Sequence, residues 1–466
     1  MSFVRAHKIE IGIFMLALAV RLLYFGLSYS ANGGILGAAA NSGDGYFDIG
    51  QNIIAGIGYS IVHEPPYAPT SYRTPVMPYF IAGVYFLFGN YFMVILVHLL
   101  IGSIVPLLGM RIARYITAIR VIPIAVGVFL ALEPTSILLS AVFLSETVFT
   151  FLFALSIIFL FRYWEGKALA PLLVSALLLG LSTLTRPPVE YLPAVLVALL
   201  FWETRKHLSQ RVFVHIGLYV LVFVLTLSPW IYRNYQVFGV LGLSSQQGAA
   251  LYTITVPSVL AIERKTNFSQ EYNKAIAGPN ETDFVQSAAY TKLALPILAS
   301  HPRELVILGA NTAFSFFTND GMFDVLRQIK RDGGMFDVWS RIKSENGIQL
   351  GESSISLLVT APLTMLQYLA ALATTPLALV VFGRAVWFLI TLAFLMGAWH
   401  ALRQERENIY VLTAISIVAY ILLTTLVVGF TVNFRYRLPV NAIILTFAAY
   451  EVVLLSMWFR RRLHTT

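Results

Sequence analysis

The chain has 466 residues, 58% hydrophobic and only 12% charged, with a mean hydropathy of +0.75, more apolar surface than a soluble fold could bury. Its formal net charge of +9 resides in short clusters between apolar runs, a pattern of membrane topology that argues against a nucleic-acid partner. Cysteine is absent, which removes disulfides, thiolate metal sites and thiol nucleophiles.

A spanning helix needs about 20 mostly apolar residues. Ten segments meet that requirement: 9–29, 91–110, 121–139, 143–161, 169–186, 188–202, 212–232, 379–401, 409–431 and 438–459. The first has no small-residue cleavage site and reads as a membrane helix, not a removable leader. If the ten alternate, the clusters Arg5/Lys8, Arg111/Arg114/Arg120, Arg162/Lys167, Arg205/Lys206/Arg211, Arg403/Arg406 and Arg460/Arg461/Arg462 share one side. The positive-inside rule makes that side cytoplasmic. Both termini are then inside, and two long connections, about 30–90 and about 233–378, face outward, where function is expected.

Within those loops, Asp48 to Ile57, Pro75 to Phe88 and Arg303 to Phe317 are too short to span and are expected to lie at the interface. Ser354 to Thr375 is long enough to span but would put later basic clusters on the wrong side, so it reads as interfacial or re-entrant. Gly321-Met322-Phe323-Asp324-Val325 is echoed by Gly334-Met335-Phe336-Asp337-Val338, two similar amphipathic turns but too few copies for a solenoid. The expectation is one all-α polytopic membrane domain over residues 1–466, with about ten transmembrane helices and interfacial helices in the outer loops.

Carboxylates at membrane depth are costly unless a site needs them. The outward ones are Asp44, Asp48, Glu64, Glu133 and Glu146. Asp44 stands in a glycine-flanked turn, where it reads either as a carboxylate able to approach a substrate or as an ordinary turn or cap residue. Glu146, at the outer start of its helix, is either functional or a residue favouring a helix N-terminus. Arg73, Arg186, Arg233, Arg435 and Arg437 all break the positive-inside rule. Singly each suits a lipid headgroup; as a set they suit an anionic ligand, because guanidinium binds phosphate oxygens bidentately. Tyr46, Glu64 and Tyr72 are further substrate-binding candidates, and His63 with Glu64 is a weak metal pair.

Taken in order, several strings resemble the GT-C glycosyltransferases, specifically the bacterial branch similar to protein mannosyltransferases, the lipid A aminoarabinose transferase and rhizobial galacturonosyltransferases. They are Gly43-Asp44-Gly45-Tyr46, Asn52 to Ser60, Tyr72-Arg73-Thr74-Pro75, Leu144-Ser145-Glu146, Leu184-Thr185-Arg186-Pro187, Ser228 to Tyr235 and Arg435-Tyr436-Arg437-Leu438-Pro439. The resemblance implies a GT-C-like bundle in a bacterial inner membrane, with its active site facing the periplasm or exterior. It further implies a catalytic aspartate at Asp44, a second acid at Glu146 and basic residues at a lipid phosphate. The chain departs from the pattern at Gln246 to Tyr252, which replaces the glycine- and asparagine-rich run of relatives.

The expected reaction is inverting transfer of a hexosyl or pentosyl group from a polyprenyl-phosphate sugar to a glycan, lipid or protein acceptor. Asp44 serves as general base, the arginines stabilise the leaving phosphate, and a divalent cation is optional. The rivals are a transporter or flippase for a lipid-linked or anionic solute, a polysaccharide polymerase or ligase, and a membrane scaffold. No inverted repeat is visible, and the acids gather at outer helix ends, which favours surface chemistry over transport.

Overall fold

The computed structural model describes residues 7–41, 43–205, 209–266, 268–276, 283–329, 335–345, 361–375, 377–431 and 434–463. Those residues form helices and connecting turns, with no strand among them. Among the described residues six helices are long and apolar enough to cross a membrane: Lys8–Ala31, Tyr91–Ile116, Glu146–Gly166, Gln210–Phe238, Ala378–Gln404 and Leu438–Arg462. Leu23, Leu225, Phe382, Leu389 and Leu395 remain exposed on them, as on helices whose solvent is lipid.

Each of the ten expected segments falls on a helix, but four do not span alone. The 121–139 segment is broken into Val121–Leu132 and Pro134–Ser140, bent by 54°. Pro134 has no N–H to continue the ladder, and Glu133 caps the new start by accepting from the Ser136 N–H at 2.6 Å. The carbonyl of Ala131 freed at this break accepts from buried Arg21 at 3.2 Å. Leu169–Thr183, Leu192–Thr204 and Ile409–Thr425 have 15, 13 and 17 residues. At 1.5 Å per residue they reach about 20–26 Å, short of a hydrocarbon core about 30 Å thick. Against the ten spans expected, six helices among the described residues, or eight with each bent pair taken as one span, meet the requirement by length and composition.

The second bent pair joins Phe284–Ala299 to Pro302–Thr318 at 103°. Only its second half was expected. Tyr46–Ile54 and Val76–Phe88 form the other short helices anticipated in the first loop. Of Ser354 to Thr375, residues up to 360 lie outside the described set and Pro362–Ala373 is a 12-residue helix. The two echoed strings open the helices Met322–Gln328 and Met335–Glu345; Gly334 lies outside the described residues.

Glu146–Gly166 is the central helix. It packs on Leu169–Thr183 through a reciprocal pair of hydrogen bonds, Ser156 Oγ to the Ser175 carbonyl and Ser175 Oγ to the Ser156 carbonyl, each 2.9 Å. Such pairing satisfies polar groups where no water can. Its N-terminal end carries the first loop. The Phe143 N–H donates to the Ala40 carbonyl at 2.8 Å, and the Phe143 ring stacks on Phe47 with centroids 4.5 Å apart. The turn containing Asp44 is thereby held over the start of the helix that begins at Glu146.

Candidate active site

Asp44 lies between two glycines in left-handed conformation, Gly43 at φ 72° and Gly45 at φ 81°. L side chains rarely adopt these angles. A Cβ on Gly45 would also stand 2.3 Å from Ile61 Cδ1, so this turn needs glycine for both backbone and space. The turn presents the Asp44 carboxylate to two arginines from distant parts of the chain. Arg73 donates from Nε to the Asp44 carbonyl at 2.7 Å and from Nη2 to Oδ1 at 3.2 Å. Arg435 donates from Nη2 to Oδ2 at 3.2 Å.

Arg435 also donates from Nε to Glu146 Oε1, and Arg186 forms an ion pair with that same oxygen. Glu146 is 1% exposed, and its Oε2 has no hydrogen-bond partner among the described residues. The two acids therefore differ in access. The Asp44 side chain is 27% exposed, at the mouth of the cluster, whereas Glu146 forms its floor beneath the arginines.

Aromatic rings complete the walls. The Arg73 guanidinium lies 4.9 Å from the Tyr46 ring centroid and 4.7 Å from that of Tyr72, within cation–π range. Burial works against the Arg435 charge, but Glu146 and Asp44 outweigh it and hold the guanidinium above its ordinary range. Arg73 is also raised: burial opposes its charge, and Tyr46, Tyr72 and Asp44 more than compensate. Burial pushes Tyr72 up, so its hydroxyl stays protonated and available as a donor.

Asp44, Glu146, Arg73, Arg186, Arg435, Tyr46 and Tyr72 are thus brought together, and four other candidates are not. Arg437 is fully buried, with donors spent on Asn441 Oδ1 and the carbonyls of Phe316, Phe317 and Asn319. Its guanidinium lies 3.4 Å from the Trp387 ring centroid, and its geometry is that of a joint between helices, not of a phosphate ligand. Arg233 donates to the Thr70 carbonyl and to Asn234 Oδ1, both at 2.9 Å, one layer behind Arg73. Glu64 is exposed, and His63 pairs with Asp48 at 3.0 Å. No group of three or more potential metal ligands occurs among the described residues.

The divergent Gln246 run is anchored beside the cluster. Ser244 Oγ donates to the Tyr72 carbonyl at 2.7 Å, and Gln247 Nε2 donates to Glu190 Oε2 at 3.2 Å. Sequence reading missed Glu190, four residues beyond Arg186, and Asp324, whose charge interacts with that of Arg435. The only signal for Asp324 was its place in the echoed string.

Residues 72–232 match the family model described as dolichyl-phosphate-mannose-protein mannosyltransferase, a stretch that contains Arg73, Glu146 and Arg186. Two solved structures similar to this chain are both of the Archaeoglobus fulgidus oligosaccharyltransferase. One, tethered through a disulfide bond to an acceptor peptide with the NVT sequon, is 14% identical with a TM-score of 0.49 and covers 97% of this chain and 50% of that one. The other, a complex with Zn and sulfate, is 13% identical with a TM-score of 0.47 and covers 95% and 50%. The chain thus spans about half the length of the solved proteins it matches. No curated protein sequence matches it.

Proposed function

We propose that the chain is a membrane glycosyltransferase that moves a sugar from a polyprenyl-phosphate donor to an acceptor hydroxyl at the outer face of a bacterial inner membrane, with inversion. The observation that carries this reading is the Asp44 carboxylate held between two guanidinium groups above a buried second acid. Asp44 is the base because it is the acid an acceptor can reach, and Glu146 is the counter-charge that keeps Arg186 and Arg435 in place. Arg73, Arg186 and Arg435 against Asp44 and Glu146 leave one positive charge in the ion-paired set. A sugar phosphodiester brings one negative charge and neutralises it; a diphosphate-linked donor would bring two.

Binding and chemistry are coupled in this arrangement. Each Asp44 carboxylate oxygen accepts an N–H from an arginine. A phosphate entering the cluster competes for the same donors and loosens their hold on Asp44, which frees the carboxylate for the acceptor hydroxyl when the donor is present. The carboxylate then takes the acceptor proton as the acceptor oxygen attacks the anomeric carbon. The bond to the phosphate oxygen breaks, and the arginines take up the charge that develops on the leaving group.

Radiolabelled transfer by purified protein tests the reading: polyprenyl-phosphate sugar should serve as donor and the diphosphate-linked sugar should not. Preference for the diphosphate would remove the assignment. Orientation is tested with single cysteines at Gln247 and Gly166, expected outside and inside. Gly45, whose left-handed backbone resists substitution, is unsuitable for labelling.

A further inference from the structure

At the opposite end of the bundle from the Asp44 cluster, the helix Asn441–Leu463 runs on past its neighbours. Among its described side chains Glu451 is the last one buried, paired with His400 at 2.6 Å. Every side chain at 455–462 is exposed, including the apolar Leu455, Met457, Trp458 and Phe459. At 1.5 Å per residue this stretch is about 12 Å long, enough to pass from acyl chains into headgroups. The Arg462 guanidinium lies 4.1 Å from the Trp458 ring centroid, and the Trp458 and Phe459 rings meet edge to face at 4.9 Å. Arg460 and Arg461 adjoin that pair, and no acidic residue occurs at 452–463. Two other exposed tryptophans carry an arginine in the same way, Trp202 with Arg205 at 3.8 Å and Trp399 with Arg403 at 4.3 Å. Both have acids at hand: Arg205 pairs with Glu407 at 3.6 Å, and Glu405 and Glu407 closely follow Arg403.

We propose that the 455–462 end binds anionic phospholipid headgroups, with Arg460, Arg461 and Arg462 taking phosphate and Trp458 and Phe459 seated at the boundary with the acyl chains. Two observations select this occupant. A helix end that is exposed on all sides and still carries four large apolar side chains has lipid as its natural cover. Three guanidinium groups on a stretch that has no acid favour a headgroup of net negative charge over a zwitterion, whose ammonium they repel. A second copy of the same end would set three more positive charges against them. The Trp458 face also holds the Arg462 plane in place, and a fixed planar fork is the geometry that bidentate phosphate binding uses. The assignment does not rest on the transferase reading.

The test uses the purified full chain in detergent, offered equal amounts of phosphatidylglycerol, phosphatidylethanolamine and phosphatidylcholine. Native mass spectrometry reads the lipid retained. Phosphatidylglycerol should be preferred over either zwitterion by about tenfold or more. Arg460→Gln combined with Arg461→Gln should remove most of that preference. Arg462→Lys, which keeps the charge but loses the fork, and Trp458→Leu should each cut it by about threefold or more. Arg403→Lys, stacked alike but followed by two acids, should leave it unchanged. The substituted side chains are all exposed, and if Trp458→Leu does not purify folded, Arg462→Lys carries the same comparison. Equal retention of the three lipids, a preference unchanged in the arginine or tryptophan variants of 458–462, or an equal loss in Arg403→Lys would each overturn the proposal. So would a dimer of the parent chain that the double arginine variant dissociates.

Discussion

Asp44→Asn should have opposite effects on two quantities that ordinarily fall together. The substitution keeps the size of the side chain but removes the negative charge that Arg73 and Arg435 each contact at 3.2 Å. At an effective dielectric of about 20, a unit pair at that range is worth about 5 kcal/mol before screening. The Asp44 and Arg435 side chains are 27% and 26% exposed, so a net value of about 1–2 kcal/mol for the two contacts is realistic. The arginines released in the variant can give that much to a donor phosphate, so donor affinity should rise by about five- to thirtyfold. Turnover should fall by about 10²–10⁴, the usual contribution of a general base. The assays are equilibrium binding of polyprenyl-phosphate sugar to protein in nanodiscs, and single-turnover transfer of labelled sugar. Turnover within about threefold of the parent would refute Asp44 as base. Unchanged or weakened donor binding would refute the competition between carboxylate and phosphate, even with turnover lost. Asp48→Asn is the control: its partner is exposed His63, and both quantities should stay near the parent values.

Three further substitutions separate the roles assigned to individual side chains. Arg435→Lys keeps the charge, but one ammonium cannot hold Asp44 and Glu146 in the same fixed fork; a donor titration should show apparent KM raised by about tenfold or more, and unchanged donor kinetics would remove Arg435 from the phosphate site. Arg437→Lys should instead lower the melting temperature, since it strips several buried carbonyls of their donor at a cost of about 1–3 kcal/mol for each one left unmet, with donor KM unchanged in the folded fraction. Burial pushes the Asp320 carboxyl from 3.8 up to about 6. The folded state then binds more protons than the unfolded one between those values, so the wild type loses stability as pH rises through them and carries the whole penalty above about 6. Thermal melts of Asp320→Asn should therefore exceed wild type by the equivalent of about 3 kcal/mol at pH 7–8 and converge with it below about pH 4.

The long spans and the cluster at Asp44 were legible in sequence for the same reason: lipid imposes a length on helices and makes stray charges conspicuous. The break at Glu133 was less visible, because the apolar run continues through Pro134 and composition alone does not register a missing N–H. Phe284–Ala299 escaped notice because Gln286, Tyr290 and Lys292 dilute its apolar character, although it forms half of a bent pair with Pro302–Thr318. Arg437 was grouped with Arg435 by proximity in sequence. Two residues apart in a tight helical turn, their side chains diverge, one toward Glu146 and Asp44 and the other toward the carbonyls at 316–319. Outer placement of an arginine marks a departure from the topology rule, but direction within a turn decides which ones meet a ligand. Asp320 had no sequence signal at all, since its isolation comes from the helices that close around it.

The ion-paired cluster draws on chain segments far apart in order of synthesis: Arg435 reaches back 391 positions to Asp44 and 289 to Glu146. At about 5–20 residues per second, translation needs about 20–80 s to travel from the aspartate to its second arginine. During that interval the ribosome has supplied both acids and two of the three cations, while the bridge that ties them together does not yet exist. Assembly of the reactive centre is therefore a late event in biogenesis. A chain released before position 435 would carry most of the helices into the bilayer without the clasp between its first loop and its central helix.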